Sequence, residues 1–138
     1  MNPTLRRILA ILAGTVVSSL VILAVEAVGH TMLADGVAMP DGSDPIAVQA
    51  YADSMSFGQL ASLLVAWCAG SFVGSSVGIR LAGGAERTVS LVVGAFVLGA
   101  TVMNFFQFPH PVWLMVSAVV LIPIASWIAI PRSVKGTS

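Results

Sequence analysis

Four long apolar runs constrain what this chain can fold into more than any other feature. They cover residues 8–28, 60–79, 89–108 and 112–130, and the only charged residue inside them is Glu26. An α-helix rises about 1.5 Å per residue, so about 20 residues cross the roughly 30 Å of hydrocarbon in a bilayer. The runs therefore predict an all-α fold, a bundle of four transmembrane helices in which residues 1–138 form a single domain.

The charge content is typical of a membrane protein and argues against nucleic-acid binding. Only 9% of the residues are charged, whereas an ordinary soluble domain has about 25%. Six Lys and Arg residues balance six Asp and Glu residues, and no basic block occurs. Because a nucleic-acid interface needs concentrated positive charge, we expect the lipid bilayer as a partner and no nucleic acid. The single cysteine, Cys68, excludes a disulfide within one chain.

The distribution of the charges predicts the orientation of the helices. Every cation lies at the same ends of the runs: Arg6, Arg7, Arg80, Arg87, Arg132 and Lys135. The loop between the first two runs contains no Lys or Arg, and its charged residues are all acidic: Asp35, Asp41, Asp44 and Asp53. Cytoplasmic loops of membrane proteins are enriched in Lys and Arg. We therefore expect both termini in the cytoplasm and one acidic loop in the periplasm.

Capping signals predict where two of the helices begin. Asp44 followed by Pro45 suits the N-cap and first position of a short outer helix over about 45–54. Ser56 and Gln59 have the spacing of a capping box at the start of the second span. The first run follows two arginines, as a signal peptide would, but its 21 apolar residues exceed the roughly 7 to 15 of a signal peptide. We expect a retained helix.

Small residues recur at helical spacing and predict close helix packing. In the second span the stripe consists of Ala66, Gly70, Gly74, Gly78 and Ala82. The first span repeats the pattern at Ala10, Gly14 and Ser18. Because no hydrophobic effect drives helices together in lipid, small side chains allow the backbones to approach closely. Two interpretations stay open for Gly70, Gly74 and Gly78: packing within the bundle, or an interface with a second copy or another membrane protein.

Uncommon polar side chains are concentrated near the predicted periplasmic ends of the spans. They are Glu26, His30, Asn104, Gln107 and His110. Glu26, His30 and His110 form a reasonable ligand set for a metal ion or a haem. The same residues suit a proton relay, or they stabilise the helix ends without a further role. No nucleophile with an adjacent base is visible, so we expect no enzyme activity.

Several segments give the chain a resemblance to known membrane proteins. It resembles small four-helix bacterial inner-membrane proteins of uncharacterised function in Glu26-x-x-Gly29-His30, Trp67-x-x-Gly70-x-x-x-Gly74, and Asn104 followed by Pro109-His110-Pro111-x-Trp113. This resemblance implies a bacterial inner-membrane location and no specific activity. We therefore expect a small integral membrane protein that forms a homo-oligomer or joins a membrane complex, with a polar site on the periplasmic side.

A second resemblance concerns the first span. Met1-Asn2-Pro3 and Ala24-x-Glu26-x-x-Gly29-x-Thr31 are similar to segments of small multidrug resistance transporters. In that family a glutamate of the first helix exchanges protons for cationic drugs. The resemblance implies a proton-coupled carrier of small molecules or cations that uses Glu26. This chain differs in its long acidic first loop and in the position of Glu26 near the end of the run.

Overall fold

The computed structural model describes residues 1–33, 38–84 and 87–131, and these residues form helices without strands. The helices are α1 (Pro3–Leu33), α2 (Pro45–Ser54), α3 (Phe57–Ala82), α4 (Arg87–Gln107) and α5 (Val112–Ile128). Three of them, α1, α3 and α4, are long and apolar enough to cross a membrane. The all-α prediction is confirmed, and three of the predicted spans have the required length. The apolar α5 is a shorter helix of 17 residues, so a fourth span stays a prediction.

Two of the helices extend beyond the apolar runs that predicted them. The run 8–28 lies inside Pro3–Leu33, and the run 60–79 lies inside Phe57–Ala82. Hydropathy marks only the part of a helix that suits hydrocarbon, whereas the backbone hydrogen bonds continue into the polar flanks. Three of the charged residues on which the predicted orientation rests lie outside the described residues: Asp35, Arg132 and Lys135.

The predicted caps are confirmed. Ser56 Oγ accepts from the backbone N–H of Gln59 at 3.3 Å, and Gln59 Oε1 accepts from the backbone N–H of Ser56 at 2.7 Å. Asp44 Oδ1 accepts from the N–H of Ile46 at 2.9 Å, at the start of α2. At the other end of α3, Gly83 adopts φ +104°, a left-handed conformation that favours glycine.

The helices α1 and α3 pack antiparallel along their whole length. Their closest approach is a glycine seam formed by Ala10, Gly14 and Ser18 of α1 with Gly70, Gly74 and Gly78 of α3. A Cβ atom added at Gly74 would overlap the side chain of Ser18 and the carbonyl oxygen of Gly14. A Cβ atom at Gly78 would lie 3.2 Å from the carbonyl oxygen of Ala10. The glycine stripe therefore packs within the bundle, because α1 covers it.

The neighbouring face of α3, about 100° from the glycine stripe, packs against α4 and α5 through buried hydroxyl groups, while α1 contacts α3 and α4. This serine cluster consists of Ser71, Ser75, Ser90 and Ser126, each at most 2% exposed. Ser90 Oγ donates to the Ser126 carbonyl at 2.6 Å, and Ser75 Oγ donates to the Ser90 carbonyl at 3.3 Å. Each of the four hydroxyls in this cluster has a carbonyl acceptor, and together they link the three helices.

Two further hydrogen bonds of the serine cluster lie beside Pro123, the proline inside the last apolar run. Ser71 Oγ donates to the carbonyl of Ile122 at 3.2 Å, and Ser126 Oγ donates to the carbonyl of Pro123 at 3.0 Å. Proline has no N–H and interrupts the regular helical ladder. The carbonyl that loses its helical donor is that of Val119, four residues before the proline, and the two serine hydroxyls donate to other carbonyls next to the proline.

The two ends of the bundle differ in what closes them. At the inner end, defined by the start of α1 and by Gly83, Arg6 Nε donates to the carbonyl of Leu81 at 2.9 Å. A guanidinium at this position suits the partial negative charge at the end of a helix. At the outer end lie α2 and the α4–α5 loop, residues 108–111. The helix α2 makes no close backbone approach to the other four helices, and Met55 and Ser56 connect it to α3.

Candidate polar site at the outer end

The site is built around Glu26, which α1 places on the side that faces α3. Its Oε1 atom accepts a hydrogen bond from Trp67 Nε1 at 3.2 Å. Trp67 is only 3% exposed and lies in the outer half of α3. A buried indole N–H needs an acceptor, and a carboxylate among apolar helices needs a donor. The two residues therefore satisfy each other inside the bundle.

Two further rings complete an outer aromatic cluster of Trp67, Phe105 and His110. The Phe105 and His110 rings meet edge to face with centroids 5.4 Å apart. The Trp67 centroid lies 5.9 Å from that of Phe105 and 6.1 Å from that of His110. One indole thus contacts Glu26 through its N–H and His110 through its ring. Glu26 and His110, predicted as site residues from sequence, both contact this one side chain.

The α4–α5 loop fixes the orientation of the His110 imidazole. His110 Nδ1 lies 2.7 Å from the carbonyl oxygen of Phe108. A carbonyl can only accept, so this hydrogen bond places a proton on Nδ1. In the neutral ring Nε2 is then the acceptor. Pro109 and Pro111 on either side of His110 restrict the backbone and keep the imidazole in this place.

The other predicted site residues do not join this cluster. His30 lies exposed in the last turn of α1, and Gln107 lies exposed at the end of α4. Asn104 is half-buried, and its backbone carbonyl accepts from the N–H of Phe108 at 2.9 Å. The sequence grouped these residues by depth, but their directions around the helix axes differ.

The predicted metal ligands are not assembled. Across residues 1–33, 38–84 and 87–131, no three His, Cys, Asp or Glu side chains come close enough to hold a metal ion. Glu26 is directed to Trp67, His110 is held by Phe108, and His30 is exposed. Gly29 is buried against Ser62 of α3, and the next residue along a helix points about 100° away from it. His30 therefore faces away from the bundle.

A cavity adjoins the cluster on the outside. This outer groove has a volume of about 330 Å³ and lies between the end of α2 and the α4–α5 loop. Its lining residues are Gln49, Ala52, Asp53, Met55, Leu60, Pro109, His110 and Pro111. A second cavity of about 280 Å³, which Gln107 also lines, shares Gln49 and Pro109 with it. His110 belongs to both the groove and the aromatic cluster, so it forms the wall between them.

Sequence reasoning missed three residues of this site. Trp67 was used only as part of a resemblance, although a tryptophan N–H in an apolar run needs an acceptor and Glu26 is the only carboxylate available there. Gln49 and Asp53 are four residues apart on α2, the spacing that brings side chains together on a helix. In the structure Gln49 Nε2 donates to Asp53 Oδ1 at 2.9 Å.

Comparison with known proteins gives no match for the chain among family models, curated proteins or solved structures. The side-chain geometry at the outer end is therefore the basis for assigning a function.

Proposed function

We propose that this chain is a small integral protein of the bacterial inner membrane whose function resides in a polar binding site at its periplasmic end. The observation that carries the proposal is the hydrogen bond of 3.2 Å between Glu26 and Trp67 among apolar helices. Removing a carboxylate from water costs free energy that bundle packing alone does not require. Ionisable residues inside transmembrane segments are, by default, candidates for function.

The exposed apolar surface and the distribution of charged residues both support the proposed membrane topology. Large apolar side chains of α1 are exposed on the side away from α3, among them Leu12, Leu20 and Leu23. The described cations Arg6, Arg7, Arg80 and Arg87 lie at the inner end, whereas Asp41, Asp44 and Asp53 lie at the outer end. We propose that α5 is the fourth span, since 17 residues are at the short end of the range for such helices. Both termini are then cytoplasmic.

We further propose that the protein acts in an assembly and not as an enzyme. Most of the described residues lie in helices, so the helix surfaces and the outer end are the parts available for such contacts. Because α1 covers the glycine stripe, self-association or contact with another membrane protein has to use a different face. On α4, nothing lies within 4 Å of a Cβ atom added at Gly99, so a partner helix has room to approach there.

A second candidate function is proton-coupled transport of a small molecule or cation. The specific observation that favours it is that Glu26 is the only charged residue within the four apolar runs and has one side-chain donor, Trp67. A carboxyl group with one neutral donor can exchange its proton for a cation without breaking an ion pair. His110 contacts Trp67, the donor to this carboxylate, and also lines the outer groove, on the side from which protons or cations would arrive.

Cysteine labelling tests the topology on which both functions depend. In a Cys68→Ala background, Ala50→Cys on α2 and Thr88→Cys at the start of α4 place single thiols on exposed positions at opposite ends. We expect a membrane-impermeant maleimide to label position 50 in intact cells and position 88 only after permeabilisation. Labelling with the opposite sidedness contradicts the periplasmic site.

Trp67 fluorescence tests the site. In a Trp113→Phe/Trp127→Phe variant, Trp67 is the only tryptophan left. If Glu26 exchanges protons with water, the Trp67 emission of the protein in lipid nanodiscs changes with pH, and Glu26→Gln removes that change. Asp41→Asn is the matched control because it removes a carboxylate outside the bundle. An emission that is independent of pH, or a pH response that Glu26→Gln leaves intact, contradicts a working site at Glu26.

Reconstituted vesicles separate the two functions. With an imposed proton gradient, a carrier would accumulate a fluorescent cation such as ethidium, and Glu26→Gln would abolish the uptake while Asp41→Asn would not. A pH-dependent Trp67 signal without uptake favours a binding site in a membrane complex. Uptake that persists in Glu26→Gln contradicts the transport candidate.

A further inference from the structure

The outer groove is rich in hydrogen-bond acceptors and poor in free donors. The Asp53 carboxylate lies on its α2 side. Pro109 and Pro111 on the opposite side have no backbone N–H, so these two positions offer no backbone donor to a ligand. A groove with this lining favours a ligand that donates hydrogen bonds.

The two remaining polar side chains follow the same pattern. Gln49 Nε2 donates to Asp53 Oδ1 at 2.9 Å, which leaves the second oxygen of Asp53 and the amide oxygen of Gln49 as acceptors. His110 Nδ1 donates to the carbonyl of Phe108, so Nε2 of the neutral imidazole is an acceptor as well. Apart from the second N–H of the Gln49 amide, the polar atoms left at these three side chains of the cavity are acceptors.

Charge and volume narrow the class of ligand. The charged residues described at the outer end are all acidic, and Asp53 is the one that lines the groove. The described cations lie at the other end of the bundle. The volume of about 330 Å³ is at the lower limit for small-molecule sites, which range from about 300 to 1,000 Å³. Met55 and Leu60 add an apolar surface beside these acceptors.

We propose that the outer groove binds a small primary ammonium ion that carries a short alkyl group. The three N–H bonds of the ammonium match the acceptors of Asp53, Gln49 and His110, and the alkyl group packs on Met55 and Leu60. This inference rests on the proposed function, since it names the ligand class of the site at the outer end. A bound ammonium would join α2 to the α4–α5 loop, because Gln49 and Asp53 lie on the helix and His110 lies in the loop.

Calorimetry on the full chain in nanodiscs, with n-butylammonium as the probe, tests this site. We expect saturable binding that Asp53→Asn weakens about tenfold or more, because a charged acceptor is replaced by a neutral one. The Asn amide oxygen can still accept from Gln49, so α2 keeps its local hydrogen bond. Asp41→Asn removes an equal charge from the same end, outside the groove, and we expect less than a twofold effect.

Two further ligands make the result independent of any substitution. Butyltrimethylammonium has the same charge and chain but no N–H donors, and butyrate has the opposite charge. We expect both to bind at least tenfold more weakly than butylammonium. Equal binding of butylammonium and butyltrimethylammonium, equal binding by native protein and Asp53→Asn, or no saturable binding of butylammonium would overturn the inference.

The outcome is distinguishable from a failure of the proposed function. If butylammonium does not bind but Trp67 emission still responds to pH through Glu26, only the ligand class is wrong. If butylammonium binds through Asp53 while Trp67 emission is insensitive to Glu26, the groove is a binding site and the role proposed for Glu26 is wrong.

Discussion

The glycine seam and the outer aromatic cluster are two solutions to the same packing problem between helices. At the seam, Gly74 lets the backbone of α3 approach Gly14 and Ser18 so closely that no Cβ atom fits between them. At the outer cluster, Trp67 and Phe105 fill the space with rings whose centroids are 5.9 Å apart. The first region depends on the absence of side-chain atoms, and the second depends on large side chains with one buried polar contact.

The difference has a consequence for tolerance to substitution. Dispersion between close backbones stabilises the seam, and one added methyl group forces the helices apart. The cluster loses stability when atoms or a hydrogen-bonding partner are removed. Additions should therefore damage the inner and middle part of the bundle, and deletions should damage the outer part.

The largest effect is expected from an addition at the seam. Gly74→Ala should lower the free energy of unfolding by about 3 kcal/mol, because its Cβ meets the carbonyl oxygen of Gly14 as well as Ser18. Gly99→Ala on α4 is the matched control, since nothing lies within 4 Å of its Cβ position. Thermal unfolding in detergent measures both variants. Equal melting temperatures for the two would show that the seam is not closely packed.

A deletion in the aromatic cluster should have the next largest effect. Trp67→Phe removes the donor to Glu26 and part of a buried ring system, for a loss of about 2 kcal/mol. Trp127→Phe provides the comparison, because Trp127 is 59% exposed at the surface of the bundle.

A double-mutant cycle separates the hydrogen bond from the ring packing. Combining Trp67→Phe with Glu26→Ala should give a coupling energy of about 1 kcal/mol, because phenylalanine has no donor and alanine has no acceptor, so each single change already breaks the same contact. Additive losses would mean that Glu26 and Trp67 do not stabilise each other, and the central contact of the proposed site would be lost.

A smaller effect is expected in the serine cluster. Ser71→Ala removes the donor to the Ile122 carbonyl beside Pro123 and should lower stability by about 0.6 kcal/mol, the average for such bonds between membrane helices. The matched variant is Ser76→Ala, whose hydroxyl donates only within its own helix, to the Phe72 carbonyl. If Ser76→Ala is as destabilising as Ser71→Ala, the link between α3 and α5 contributes nothing of its own.

The smallest effect on stability is expected at the turn that contains Asp41. This turn lies outside both regions, so it provides a baseline for the changes in melting temperature. The side-chain and backbone groups of Ser43 donate to the Asp41 carboxylate at 2.6 Å and 2.9 Å and lower its pKa from the ordinary value. The turn is therefore stabilised above the ordinary pKa, and this contribution is lost as the pH falls through the lowered value. Carboxyl NMR should report that Ser43→Ala raises the Asp41 pKa, with no change in melting temperature. An unchanged pKa would contradict these hydrogen bonds.

Features that depend on local sequence could be predicted, and features that depend on helix rotation could not. Asp44, Ser56 and Gln59 cap their helices as expected, because a cap involves residues only a few positions apart. The sequence predicted that Glu26, His30 and His110 converge, but the structure does not bring them together, because convergence depends on which side of α1 faces α3. Gly29 faces α3 and His30 is exposed, and a single sequence does not determine which of these two residues faces the neighbouring helix.

The glycine stripe is a second feature whose partner a single sequence does not identify. Its spacing predicted close packing, and the sequence left open whether the partner is α1, a second copy of the chain or another membrane protein. The structure places α1 on it, through Gly14 and Ser18, which carry the matching small residues. Complementary stripes on two helices of one chain are the signal that favours the internal partner.

The pairing of α1 with α3 also bears on how the protein is made. A ribosome releases the chain from its first residue, so both halves of the tightest interface, Pro3–Leu33 and Phe57–Ala82, are synthesised before α4 and α5. With the proposed topology, an insertion intermediate that held only these two helices would already have its glycines buried and Glu26 beside Trp67. The carboxylate would then have its donor before α4 and α5 enter the bilayer and assemble on a preformed hairpin.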